Sequence, residues 1–304
     1  MLKLGVIGLG DIAQKAYLPV YSSMKEIEFH FYTRNQDKLR SLGSQYRFEH
    51  LHSDLDSLMN SGINGAFVHS STASHEGIVE ALLTRGIHVF VDKPISDHYD
   101  GAKRLVELAE EKGLILMTGF NRRYAPSYTK LKEVAEPNMV VVQKNRKSLP
   151  GEPRTFIYDD FIHVVDTMRY LFPYPIKDLI VNGRMVGGIL YHVVVQFLSE
   201  GATAIGIMNR DNGTNEEIAE VMGPLEKRTV HNVSKLTISK NMETVDVRSS
   251  DWEPTLLRRG FEQMVADFVQ SVQTNSNPGI TARDALESHE ICEKIIHELL
   301  KRHC

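Results

Sequence analysis

Four groups of residues in this 304-residue chain have types and spacing that suit chemistry. The first is Gly5-x-x-Gly8-x-Gly10-x-x-Ala13, where Gly8, Gly10 and Ala13 keep the G-x-G-x-x-G/A spacing. In such a pattern Gly8 permits a tight turn, Gly10 lets the backbone approach a pyrophosphate, and Ala13 is small enough for close helix packing, with the anion at the helix N-terminus. A glycine turn in any α/β protein is the plain alternative; the position directly after a first strand, inside a βαβ unit, favours a dinucleotide. Asp11 and Ile12 of the same turn, and Ser70 beyond a later strand, are assigned to that site with them.

The end of the next strand, Phe31-Tyr32-Thr33-Arg34-Asn35, bears on which dinucleotide is bound. A carboxylate there would hydrogen-bond a ribose 2′-hydroxyl, whereas an arginine accommodates a 2′-phosphate. No Asp or Glu is present. Thr33 can donate a hydrogen bond and Arg34 a charge-assisted one, so NADP(H) is the expected cofactor and NAD(H) the alternative. Arg34 as a solvated residue at a helix start is the competing explanation.

Val89-Phe90-Val91-Asp92-Lys93-Pro94 closes a further strand and puts Lys93 at its carboxyl end, where open α/β sheets bind ligands. Pro94 keeps Lys93 extended, and the plain alternative is a surface turn. In the fourth group, Asp159 to Asp166, Asp159 and His163 are four apart, so a carboxylate could orient an imidazole on one helix face. Two other readings stay open: His163 as a buried structural histidine held by Asp166, and Asp160 as the helix N-cap with Asp159 just outside. Arg122-Arg123 is either a surface pair or a contact to cofactor or an anionic substrate, and packing is the default for Tyr124 and Tyr158. His69, His75, His88 and His98 sit on separate elements with no H-x-x-x-H or cysteine pair, so no metal is expected.

These residues need a framework, and the apolar runs supply one. Leu2–Ile7, Ile27–Tyr32, Gly65–His69, Ile87–Val91 and Leu114–Thr118 read as buried strands alternating with helical segments, including Asn35–Tyr46, Ser74–Arg85 and Tyr99–Lys112. Apolar rather than alternating strands predict a parallel sheet covered on both faces, a Rossmann-type domain over residues 1–120. Residues 121–304 read as an α+β domain with a largely antiparallel open sheet. Its elements are helices at Tyr124–Ala135 and Phe161–Leu171, strands at Met139–Lys144, Gly188–Phe197, Thr203–Met208, Glu217–Met222, Val233–Ser239 and Thr244–Val247, and closing helices at Leu256–Thr274 and Ala282–His303.

With 35 Lys and Arg against 39 Asp and Glu, and 42% hydrophobic residues, the composition is that of an ordinary globular chain. A formal charge of −4 gives no general attraction for nucleic acid, and no apolar run approaches a membrane span. Met1-Leu2-Lys3-Leu4 has no leader pattern, so a cytoplasmic address is expected. Cys292 and Cys304 have neither disulfide nor ligand spacing and read as bystanders. The apolar strands Gly188–Phe197 and Thr203–Met208 suggest a face covered by a second subunit, hence a homodimer or homotetramer, with coverage by a helix as the alternative.

Gly8-Leu9-Gly10 with Ala13, then Asp92-Lys93-Pro94, then Gly119-Phe120-Asn121-Arg122-Arg123-Tyr124-Ala125-Pro126, then Asp159-x-x-x-His163-x-x-Asp166, in this order, resembles the glucose-fructose oxidoreductase, inositol dehydrogenase and rhizopine-catabolism (Gfo/Idh/MocA) family. The resemblance spans essentially the whole chain. It implies a Rossmann domain followed by an α+β domain, and oxidation of a secondary hydroxyl, or reduction of a ketone, on a sugar, inositol or related polyol. By the same resemblance Lys93 contacts the reacting oxygen and the cofactor ribose, His163 is the general acid/base, and Asp159 is the carboxylate before it. The chain departs from the family at Asp92, where Glu is commoner, at Arg154-Thr155-Phe156-Ile157, where paired glycines are common, and at Phe161, where Gly is frequent. Those changes bear on pocket shape more than on proton chemistry. A dinucleotide-binding regulator without catalysis, and a reductase of a non-sugar carbonyl, are the competing functions.

Overall fold

The computed structural model describes residues 1–248 and 250–301; positions 302 and 303 of the expected closing helix, and Cys304, lie outside the described residues. The chain divides into two compact units, residues 1–119 with 261–287, and residues 120–260 with the segment from Ser288 onward. The first unit is built on β1 (Leu2–Ile7), β2 (Ile27–Tyr32), β3 (His50–His52), β4 (Gly65–Val68), β5 (His88–Val91) and β6 (Leu116–Thr118). They lie in the order β3-β2-β1-β4-β5-β6, every pair parallel. Val6, Phe31, Phe67 and Phe90 are wholly buried, as strands covered on both faces must be. Strand order reverses beside β1, so the chains leaving β1 and β4 diverge at the point where such sheets take ligands. β3 goes beyond the expected strands because His-Leu-His is too short and polar to register as an apolar run.

The helix Phe261–Thr274 belongs to this first unit, whereas the sequence reading kept it within 121–304. Its Phe268 ring meets Phe67 edge-on at 4.9 Å and lies 5.8 Å from Phe90, so its apolar face completes the core over the sheet. The expected single helix from Leu256 is interrupted: Thr255–Arg258 is a separate short turn, and Gly260 between them has φ +79°.

The second unit carries β7 (Met139–Asn145), β8 (Asp178–Val186), β9 (Ile189–Ser199), β10 (Ala202–Asn209), β11 (Glu216–Met222), β12 (Glu226–His231), β13 (Lys235–Lys240) and β14 (Glu243–Val247). Their order is β14-β13-β12-β11-β7-β10-β9-β8, antiparallel except for β7 beside β10. The helix Ile162–Leu171 lies on this sheet over Gly206, where a Cβ would come 3.0 Å from Val164 Cγ1. One face of β10 is thereby covered by a helix; Thr203, Ile205 and Ile207 on the other are half-exposed. The expected helix Tyr124–Ala135 is instead a short turn, Asn121–Tyr124, and the helix Pro126–Leu131, because Pro126 opens a new helix rather than continuing one.

Candidate active site

The turn after β1 is closed on one side and open on the other. Gly8 has φ +91° and donates its N–H to Tyr32 O at 2.9 Å. A Cβ on it would stand 2.6 Å from Ser70 N and 2.8 Å from the His69 carbonyl carbon. Around Gly10, by contrast, nothing lies within 4 Å of where a Cβ would be. Gln14 holds the loop from behind, its Nε2 donating to Leu9 O at 3.0 Å and Gly10 O at 3.3 Å, while buried Ala13 seats the following helical stretch. A rigid inner side and an unobstructed outer side fit an approaching pyrophosphate. Asp11 and Ile12 are exposed, and Lys15 engages the Asp11 carboxylate at 2.9 Å. Gly8→Ala is expected to cost at least about 1–3 kcal/mol, since φ and the β4 backbone both oppose a side chain. Gly10→Ala should melt with the parent protein but bind NADPH more weakly; an unchanged affinity in a fluorescence titration would remove the pyrophosphate from this turn.

At the end of β2 the Asn35 side chain caps the helix Gln36–Tyr46, accepting from Lys38 N–H at 2.9 Å, and Gln36 Nε2 donates to Thr33 O at 2.9 Å. Those bonds fix the backbone of Thr33 and leave the Arg34 side chain exposed, with no ion pair or hydrogen bond among the described residues.

Past β4, the His69 ring stacks on Tyr17 with centroids 3.9 Å apart, and its Nε2 lies 2.8 Å from Tyr21 OH. Burial, reinforced by His75, pushes its pKa down to about 3, so it is neutral throughout the working range. His75 joins two loops: its Nδ1 is 2.7 Å from Pro94 O and its Nε2 3.0 Å from Ser70 O. One imidazole thus fastens the chain leaving β4, with Ser70, to the chain leaving β5, with Lys93. No spacing marked His75 for this role, because its partners are backbone carbonyls. The Lys93–Pro94 peptide is cis, the Lys93 N–H donates to Asp92 Oδ1 at 2.8 Å, and Lys93 itself is half-buried. Ser70 Oγ, Thr118 Oγ1 and Tyr17 OH are buried with no hydrogen-bond partner among the described residues. Buried polar atoms are rarely left so, and unpaired hydroxyls beside the ends of β4 and β6 fit a polar ligand such as a dinucleotide.

In the second unit the helix carrying His163 begins earlier than expected. Glu152 caps it, accepting from Arg154 N–H at 2.9 Å and Thr155 N–H at 2.8 Å. A π turn, Ile157–Phe161, then leads into Ile162–Leu171. Asp160 is therefore inside the helix and not its N-cap; it is buried and paired with Lys144 at 2.6 Å and Arg146 at 3.0 Å. Asp166 is bidentate to Arg123, at 2.9 and 2.6 Å, and accepts from Ser288 Oγ at 2.9 Å. Tyr158 is wholly buried with its hydroxyl 2.8 Å from Glu293, a packing role.

The Arg122-Arg123 pair is not on the surface. Arg122 is buried and doubly bonded to Glu217, Nε to Oε1 at 2.9 Å and Nη2 to Oε2 at 2.8 Å, with Tyr128 OH adding a third bond to Glu217 at 3.1 Å. Its remaining nitrogen, Nη1, donates to Asn121 Oδ1 at 3.0 Å and sits astride the His163 ring, 3.0 Å from Nδ1 and 3.3 Å from Nε2. A guanidinium has only hydrogens to give, so the His163 nitrogen it engages is the one with the lone pair.

Charge is finely set around this histidine. Burial opposes ionisation of Glu217, but Arg122 outweighs it and brings the pKa down to about 2. The same contest holds Asp160 below the usual carboxylate range, with Lys144 and Arg146 prevailing over burial. Lys144 is pushed down to about 7 by burial and by Arg122, against the pull of Asp160. Because Glu217 titrates near 2 when folded and near 4.5 when not, its contribution is present above pH 4.5 and lost as pH falls toward 2. Glu217→Gln should cost about 3–5 kcal/mol at neutral pH by stranding Arg122, and should flatten the acid limb of a stability–pH curve. An unaltered acid limb in denaturant titrations would place that titration elsewhere.

On the outer edge of the first sheet, Glu28, His30 and His50 bring ligand atoms within 4.8 Å of one another, a grouping that pairing of β2 with β3 creates and no spacing signalled. Lys3 Nζ already stands 2.9 Å from Glu28 Oε1, and His30 also bonds His52 at 2.9 Å, so the group is satisfied as a hydrogen-bonded ion-pair network.

Comparison with known proteins gives the geometry its relatives. Residues 2–120 match the model of an oxidoreductase family with an NAD-binding Rossmann fold, and residues 126–241 match the YceM-like C-terminal domain. The chain is 30% identical over 303 residues to the YceM protein of Salmonella typhimurium, covering 97% of each. It is 25% identical to a myo-inositol 2-dehydrogenase of Thermotoga maritima, over 93% of this chain and 92% of that one. The crystal structure of a Gfo/Idh/MocA family oxidoreductase from Vibrio cholerae superposes with a TM-score of 0.93 at 31% identity, over 99% of both chains.

Proposed function

The chain belongs to the Gfo/Idh/MocA family of oxidoreductases and is a dehydrogenase, and from that premise we propose that it moves hydride between NADP(H) and a secondary alcohol or ketone of a sugar, inositol or related polyol. The observation that carries the reading is the glycine turn: closed behind Gly8, open in front of Gly10, and backed by the Ser70 and Thr118 hydroxyls, which have no hydrogen-bond partner among the described residues. The polyol class is supported by the inositol dehydrogenase among the relatives. In this reading Gly8, Gly10, Asp11, Ile12, Thr33, Arg34, Ser70 and Lys93 hold the dinucleotide. The bound nicotinamide supplies the site that takes up or releases hydride.

What remains falls to side chains. Lys93 brings positive charge to the reacting oxygen as charge develops there. His163 exchanges the hydroxyl proton. Its lone-pair nitrogen is the one Arg122 engages, so a substrate hydroxyl takes that nitrogen by displacing Nη1, which keeps its bond to Asn121 Oδ1 while Glu217 holds the rest of the guanidinium. Asp159, half-buried in the same helical stretch, is assigned as the supporting carboxylate. The half-exposed face of β10 supports a homodimer or homotetramer.

Cofactor choice is tested at Arg34. Arg34→Ala should weaken NADPH binding about 10- to 100-fold, the worth of charge-assisted bonds to a phosphate, with NADH binding unchanged. An equal effect on both nucleotides, or none, would return the preference to NAD(H). A screen of keto-sugars and inososes with NADPH then tests the substrate class: a tightly bound cofactor that none of these compounds oxidises overturns the polyol assignment.

A further inference from the structure

Two part-buried guanidinium groups in the second unit, those of Arg210 and Arg259, form no ion pair or hydrogen bond among the described residues. Arg210 follows Asn209, whose carbonyl accepts the Arg146 N–H at 2.8 Å, so Arg210 stands beside Arg146; its guanidinium lies 4.9 Å over the Phe156 ring, and its buried Nε has no hydrogen-bond partner. Arg259 is tied to the other end of the cluster, its carbonyl accepting Asn121 Nδ2 at 2.8 Å next to Arg122. Neither guanidinium makes an ion pair or hydrogen bond with a described residue. Of the carboxylates that attract them, Asp160 is bonded to Lys144 and Arg146 and Glu217 to Arg122 and Tyr128, while Asp159 attracts Arg210 without a bond to it. Burial first, then Arg122 and Arg146 for Arg259 and Arg146 for Arg210, outweigh the pull of Glu217 on Arg259 and of Asp160 and Asp159 on Arg210 and hold both groups below the ordinary arginine range. Partly buried charge of one sign without a partner is costly, and it persists where a ligand supplies the partner.

We propose that Arg210 and Arg259, flanking Arg146 and the Arg122–His163 contact, form an anion subsite, and that the substrate carries a carboxylate or phosphate group as well as the reacting carbinol. This rests on the dehydrogenase reading only for the word substrate; the anion site itself stands on the unpaired guanidiniums. Sugar acids and sugar phosphates share the required chemistry.

The test is calorimetric titration of the NADPH-loaded protein with matched probes: D-glucuronate and glucose 6-phosphate against D-glucose, and inorganic phosphate alone. At least one anionic sugar should bind about 10- to 100-fold more tightly than glucose, its heat falling with added salt. The stronger of the two probes identifies carboxylate or phosphate as the group read. Arg210→Gln and Arg259→Gln, each verified folded by circular dichroism and still binding NADPH, should each lose most of that advantage while leaving the weak binding of glucose alone. Equal affinity for charged and neutral sugars in the parent protein, or an anion preference that survives both substitutions, overturns the proposal. Failure of the dehydrogenase reading shows separately, as binding of neither NADPH nor NADH by the parent protein; if NADH alone binds, the same titrations are run on the NADH-loaded protein.

Discussion

His163→Ala should lower turnover by about 10²- to 10⁴-fold, the usual worth of a positioned acid/base group, with NADPH affinity unchanged. The imidazole is half-buried on a helix locked to the sheet at Gly206, and it meets a guanidinium whose other nitrogens are fixed by Glu217 and Asn121. Once the substrate hydroxyl has displaced Nη1, a group so held can exchange a proton with no further movement of its surroundings, which is the condition for a large effect. His163→Asn keeps a hydrogen-bonding side chain without the titration, so it should stay near the alanine level and lose the pH dependence of kcat. Near-normal turnover in either variant would dispose of the assignment. A kcat loss accompanied by an equal loss of NADPH binding would point to collapse of the helix and not to proton transfer.

Lys93→Met should reduce kcat/KM by about 10²- to 10³-fold, as removal of one group stabilising a developing oxyanion does elsewhere. The substitution preserves the aliphatic stem and the packing beside β5, so loss of charge is isolated from loss of bulk. His75 and Asp92 still hold the loop backbone, through Pro94 O and the Lys93 N–H, so the variant should melt with the parent protein. Because Lys93 is also assigned to the cofactor ribose, a several-fold rise in the NADPH dissociation constant is expected alongside. A variant that turns over at the parental rate would leave Lys93 as an ordinary strand-end lysine.

The two sites differ in how far a sequence could describe them. Gly8 and Gly10 carry their meaning locally: a residue without Cβ is needed where φ is +91° or where a backbone must be approached, and a short stretch of sequence is enough to say so. The strands of the first sheet are legible for the same reason, since burial on both faces demands unbroken apolar runs. Lys93 needed only the end of such a run to be placed. β3 and β12 were hidden because their residues, His-Leu-His and Glu-Lys-Arg-Thr-Val-His, are selected by a neighbouring strand and not by a core.

Around His163, helical spacing offered Asp160 and Asp166 as local partners, and the charges these two meet lie elsewhere in the chain. Asp160 answers Lys144 and Arg146 on and after β7, Asp166 answers Arg123, and the histidine itself meets Arg122, which β11 holds through Glu217. Helical spacing lists the neighbours a side chain could have along its own chain, but buried charge is decided by whatever opposite charge the folded sheet brings within about 3 Å, and at that range Coulomb attraction outweighs sequence proximity. The chain's order of residues thus determined the Rossmann framework, its turn and the lysine at a strand's end. Only the tertiary structure decided which ions are neutralised, which imidazole faces a guanidinium, and that Arg210 and Arg259 form no ion pair among the described residues, because those are properties of residues far apart in the chain meeting in a medium too dry to leave them indifferent.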